Sequence, residues 1–105
     1  MGPNDAFEIR DEVQLVDVRE PSEWTVGHIE GAVHIPMGEL NHRQDELAKD
    51  RTIVAVCRSG NRSGQLTALL APRGLDIVNM VGGMNAWLAA GLPVVRDDGA
   101  PGSVL

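Results

Sequence analysis

The run Thr52–Val56 (TIVAV) is β-branched, nearly free of polar residues, and leads directly into Cys57, the only cysteine of the chain. A continuous apolar run of this length suits a strand buried on both faces, as an inner strand of a parallel sheet is. Val13–Val18 (VQLVDV) reads as a second such strand. Asp76–Val81 (DIVNMV) and the short Ala32–Ile35 (AVHI) are further candidates. Helical patterns lie between them: Leu40–Lys49, mostly polar; Arg62–Ala71, with Leu66, Leu69 and Leu70 spaced for one face; and Gly83–Ala90. Pro72 and Gly74 punctuate the end of the middle helix. Strands alternating with helices predict right-handed βαβ crossovers and an α/β layer architecture.

The 105 residues, 43% of them apolar, fit one domain with one core. A net charge of −6 argues against nucleic acid or an anionic membrane as partner. No apolar run approaches the ~18 residues of a membrane span, and the start MGPNDAFEIRDE lacks the basic and apolar regions of a signal peptide. A cytoplasmic protein is therefore expected. One cysteine allows no internal disulfide, no two-cysteine zinc site and no CxxC redox pair. His28, His34 and His42 lack a metal-ligand spacing, so neither a metal nor another cofactor is expected. The tail Arg96–Leu105 (RDDGAPGSVL) reads as loose, leaving residues 1–95 as the domain.

The chemistry concentrates after the central strand. Cys57 falls at its carboxyl end, where open α/β sheets bind ligands. Arg58, Ser59, Gly60 and Asn61 follow, and a helix begins near Arg62. Such a loop can turn successive N–H groups inward as an anion nest, and the helix start adds more. Gly60 frees the backbone, while Asn61 and Ser63 are suited to cap the helix or brace the loop. Helix N-termini and nearby cations, here Arg58 and Arg62, lower a cysteine pKa. The alternative is a cysteine that is only core, which is the common fate of a free thiol. The arginines and the glycine inside the loop favour the nucleophile.

These residues resemble the rhodanese family of sulfurtransferases. "LVDVREPSEWTVGHIEGAVHIP" (Leu15–Pro36), "VCRSGNRS" (Val56–Ser63) and "GLDIVNMVGGMNAWLAAGLPV" (Gly74–Val94) resemble the family's opening, active-site and closing segments, in order. The resemblance implies a three-layer domain with a central, mostly parallel sheet of four to five strands and helices on both faces. It implies that Cys57 takes sulfur from a small anionic donor such as thiosulfate, becomes a persulfide, and passes the sulfur to cyanide or to a small or protein thiol. Arg58 to Ser63 would hold the transferred group, with Asp17 and Arg19 as a structural pair or a brace for the loop. Trp24 and Trp87 are expected to pack, His28 to serve in a turn, and Gly82-Gly83 to form the turn into the last helix near the rim. Family members usually carry a strand and a helix before the segment matching LVDVRE. Only Met1–Gln14 precede it here, so those elements are expected to be shortened or missing, with a sheet edge open to a partner.

Two other functions fit parts of the pattern. Cysteine phosphatases and arsenate reductases also place a thiolate at a helix start, but with five residues between cysteine and arginine; Cys57 and Arg62 enclose four, from Arg58 to Asn61. The smaller ring suits a single sulfur better than a phosphoryl group. Related domains that lack the cysteine serve as binding modules, whereas Cys57 and its loop are both present.

Overall fold

Every residue of the central strand is buried, as its composition requires of an inner strand. The computed structural model describes residues 1–105. Its sheet has four strands: β1 (Gln14–Asp17), β2 (Val33–His34), β3 (Ile53–Val56) and β4 (Ile77–Asn79). Their order is β2-β1-β3-β4 and all neighbouring pairs are parallel. Asp17 pairs with both His34 and Val56, so the carboxyl ends of β1, β2 and β3 lie level. That shared edge is where the loops meet.

Side chains alternate across a strand, and β3 feeds two cores. Ile53 and Ala55 face a cluster with Leu40, Leu47, Leu66 and Leu70. Val54 and Val56 face a second cluster with Ala6, Met80, Met84 and Trp87. Cys57 continues the first side, toward α3 (Asn61–Leu70). The opposite face is covered by α1 (Pro3–Glu8) and α4 (Gly83–Ala89). A further helix, α2 (Pro21–Val26), buries no residue fully and lies beyond the end of β1.

Two expectations need correction, one for residues 40–49 and one for the tail. Leu40–Lys49 is not one helix but parts of two 3₁₀ segments, Met37–His42 and Gln44–Glu46. Only Leu40 and Leu47 are buried there, too few for an amphipathic stripe. The Gln14 side chain instead takes over the backbone, donating to the Glu46 carbonyl at 2.8 Å and accepting from the Ala48 amide at 2.7 Å. At the N-terminus a helix is present: α1 buries Ala6 and sets Phe7 edge-on to Trp87 at 5.7 Å, with no strand before it. The Met1 carbonyl accepts from the Val81 amide beside the edge of β4.

The tail is not loose. Val95 exchanges backbone hydrogen bonds with His28, the Arg96 amide donates to the Ala100 carbonyl, and the Ser103 amide donates to the Val26 carbonyl. Gly27 makes the return possible, since a Cβ there would stand 2.2 Å from the Ser103 oxygen. Glycines in the tail favour a tight turn as much as disorder, and composition does not separate the two.

Candidate active site

Cys57 lies at the end of β3 with its side chain fully buried. The chain then turns sharply at Gly60, which has a φ of 95°, and enters α3. This left-handed conformation is one that glycine adopts without strain. It brings the Gly60 amide to 3.0 Å from Sγ of Cys57. The Ser63 hydroxyl, also buried, donates to the same sulfur at 3.2 Å. Ser63 therefore serves the thiol and does not cap α3. The Asn61 side chain makes no hydrogen bond.

The loop's carbonyls are held from the other side. At the start of α4, the Met84 amide donates to the Cys57 carbonyl at 2.8 Å and the Asn85 amide to the Arg58 carbonyl at 2.9 Å. With these oxygens turned toward α4, the loop's N–H groups are left to face the sulfur. Gly83 permits the approach, because a Cβ there would sit 2.3 Å from the Cys57 oxygen. The Gly82-Gly83 turn is thus part of the loop's scaffold.

Two effects oppose each other at the thiol. Burial raises its pKa. The Ser63 hydroxyl and the amides of Ser63, Gly60 and Ser59 lower it, and together they win: Cys57 is held below the ordinary 9.0. Hydrogen bonds to a charged acceptor contribute about 1.5–3 kcal/mol each, and several of them converge on this one sulfur. The two arginines differ. Arg58 is exposed and makes no ion pair. Arg62 is bound by Glu23 of α2 at 2.8 and 3.0 Å, so part of its charge is spent on that carboxylate.

Asp17 and Arg19 form a fully buried pair at the end of β1, with Nη2 at 2.7 Å from the carboxylate. Arg19 also donates to the Gly27 carbonyl at 2.8 Å. The pair braces the turn after α2, and none of its hydrogen bonds reaches the cysteine loop. Trp24 stacks in parallel on His28, at 3.6 Å between centroids, and on His34 at 4.6 Å. His34 Nε2 donates to the Arg19 carbonyl at 2.8 Å, a role with no separate signal in the sequence. Trp87 packs as expected, and its indole N–H donates to the Pro93 carbonyl. Asn79, which carries no separate signal in the sequence, touches both Ser63 and Gly60 with its side chain.

A parallel α/β sheet and a buried thiol at the carboxyl end of an inner strand, hydrogen-bonded by the loop and helix start that follow it, define a cysteine-centred α/β domain. The comparisons narrow the class: residues 5–90 match the rhodanese-like domain, and the chain belongs to that family. It is 42% identical over 90 residues to a protein named sulfurtransferase in Allochromatium vinosum, covering 85% of this chain and 84% of that one. It is 42% identical over 97 residues to an uncharacterized protein of Synechocystis, and spans only 54% of that longer chain. Among solved structures, the rhodanese-related protein of Thermoplasma volcanium superposes with a TM-score of 0.88 at 34% identity, covering 92% of this chain and 97% of that one.

Proposed function

We propose that the protein is a sulfurtransferase that carries a sulfane sulfur on Cys57, from thiosulfate or a similar small anionic donor to a thiol or cyanide. The observation that carries this reading is the pair of donors on one sulfur, the Gly60 amide and the Ser63 hydroxyl, at a thiol whose pKa is lowered. A merely structural core cysteine has no need of either.

The steps follow from the chemistry of the donor. The Cys57 thiolate attacks the outer sulfur of thiosulfate. The new S–S bond forms as the old one breaks, and its electron pair leaves with sulfite. Charge is conserved: the thiolate becomes a persulfide anion and sulfite departs as a dianion. The amides of Ser59, Gly60 and Ser63 hold the negative terminal sulfur as an oxyanion hole holds oxygen. An acceptor thiolate or cyanide then attacks that sulfur and returns Cys57 as thiolate. Arg58, exposed and unpaired, draws in the anionic donor, whereas Arg62 is committed to Glu23. Cys57 has no accessible surface in this conformation, so side chains at the mouth must move to admit the donor. The relative named sulfurtransferase supports the same reading.

The test is intact mass after incubation with thiosulfate, before and after a reductant. A gain of one sulfur atom, lost on reduction and absent in Cys57→Ser, is expected. No gain with thiosulfate or with a protein persulfide donor would replace this reading with that of a docking module.

A further inference from the structure

Ser63 has one hydroxyl proton and two acceptors. Its Oγ lies 3.2 Å from Sγ of Cys57 and 2.5 Å from Oδ1 of Asn79, the last residue of β4. The same Asn79 amide donates through Nδ2 to the Gly60 carbonyl at 3.2 Å. That second bond fixes the amide's orientation, because the reverse would set two oxygens against each other. Asn79 also lies against α3, where a Cβ on Gly64 would come 3.4 Å from its Nδ2. It is therefore held in place by the elements that build the cradle.

We propose that Asn79 is a positioning residue for the Cys57 sulfur, which competes with that sulfur for the single proton of Ser63. When Cys57 is neutral, its S–H donates to Ser63 Oγ and the Ser63 proton goes to Asn79. When Cys57 is a thiolate, Ser63 must turn its proton to the sulfur, and Asn79 Oδ1 loses that donor. Each ionisation thus costs one hydrogen bond that a chain without Asn79 would not lose. The brace on Gly60 does not reverse this, since the Gly64 amide also donates to the Gly60 carbonyl, at 3.0 Å. The charged groups of the neighbouring elements are Arg58 in the loop, Arg62 of α3 with its partner Glu23 of α2, the Asp17–Arg19 pair at the end of β1, and the N-terminal ammonium of Met1, which donates to the Asn79 backbone carbonyl at 3.3 Å. None of them touches the Asn79 side chain, and the Met1 ammonium meets only its backbone carbonyl, so replacing the side chain leaves them unchanged. The same device would set how readily the persulfide gives up its charge, a consequence that rests on the function proposed above.

The experiment is the pH dependence of Cys57 alkylation by iodoacetamide. The cysteine is unique, so the signal has one source. Asn79→Ala is expected to lower the apparent thiol pKa by about half a unit to one unit, the equivalent of one modest hydrogen bond. Ser63→Ala is expected to raise it. In the Ser63→Ala background, Asn79→Ala should have little further effect, because the coupling runs through Ser63. Asn79→Asp, of the same shape, should raise the pKa in the parent and raise it less without Ser63, and this keeps the inference testable if the alanine variant does not fold. A pKa that is unchanged or raised in Asn79→Ala would overturn it. So would an Asn79 effect equal in size with and without Ser63. Alkylation needs no sulfur donor, so a protein that forms no persulfide would still report on Asn79.

Discussion

Arg62 and Glu23 form a two-point ion pair, with Nη1–Oε1 at 2.8 Å and Nη2–Oε2 at 3.0 Å, that ties the first turn of α3 to α2. The hydrogen bonds from Arg62 hold the Glu23 carboxyl below its ordinary 4.5, against the opposing pull of burial. A carboxyl depressed in the folded state adds stability above its unfolded pKa and loses it as pH falls through the folded value. Arg62 is 36% exposed, so solvent screening limits the gain to about 1 kcal/mol. Glu23→Gln should therefore be less stable than the parent by that amount at pH 7. The difference should shrink below pH 4.5 as the parent's carboxyl is protonated. Urea titrations at several pH values read this directly, and a pH-independent difference would contradict it.

Gly83 and Gly74 both have positive φ, 57° and 93°, but only Gly83 is crowded. A Cβ on Gly74 meets nothing within 4 Å, whereas one on Gly83 strikes the Cys57 oxygen and the Arg58 carbonyl. Gly74→Ala should cost only backbone strain, about 1 kcal/mol. Gly83→Ala should cost more, about 2–3 kcal/mol, and should also raise the apparent pKa of Cys57 by displacing the loop amides. Equal stability losses, measured by denaturant unfolding, would mean that the approach of α4 to the loop is not tight.

The buried pair of Asp17 and Arg19 makes a prediction about folding, not chemistry. Removing one partner leaves the other charged and buried, which typically costs about 3–5 kcal/mol. Arg19→Met should show this loss. Adding Asp17→Asn to Arg19→Met should restore part of it, because the stranded carboxylate is gone. Each is read from urea midpoints, and a double variant no better than the single would mean that the pair is not the source. Arg19 Nη1 has no hydrogen-bond partner, so the native pair is itself imperfectly satisfied.

What was legible in the sequence is what neighbouring residues decide. The apolar run Ile53–Val56 makes an inner strand because nothing in it needs water, and Cys57, Gly60 and the start of α3 follow within a few positions. The cradle is therefore encoded locally. The contacts that tune it are not. Asn79 reaches Ser63 only because β4 lies beside β3 in register with Ala55, and Glu23 reaches Arg62 only because α2 is folded over the end of β1. His34 meets the Arg19 carbonyl through the pairing of β2 with β1. A polar residue at the end of a strand shows no period that marks its partner, and sheet order is not written in spacing. The stretch 40–49 misled for the opposite reason. Its residues favour helix locally, but Leu40 and Leu47 alone are drawn into the core, and Gln14 claims the backbone on either side of Leu47.

Arg58 offers the sharpest separation of binding from chemistry. It is exposed and unpaired, and its carbonyl is already held by the Asn85 amide. Replacing its side chain should leave the loop's shape, and so the amides around the sulfur, intact. In the sulfur transfer proposed above, its charge would attract the donor in the ground state and the transition state alike, so losing it would remove uniform binding. Arg58→Ala should raise KM for thiosulfate by about tenfold while kcat changes little, in an assay of thiocyanate formed from thiosulfate and cyanide. The effect should weaken in high salt, since an exposed charge is screened within about 10 Å at 0.1 M ionic strength. The apparent pKa of Cys57 should move little, because the Ser63 hydroxyl and the loop amides hold it down. A fall in kcat at unchanged KM would place Arg58 on the transferred sulfur instead of at the mouth, and would shift the burden of anion capture back to Arg62.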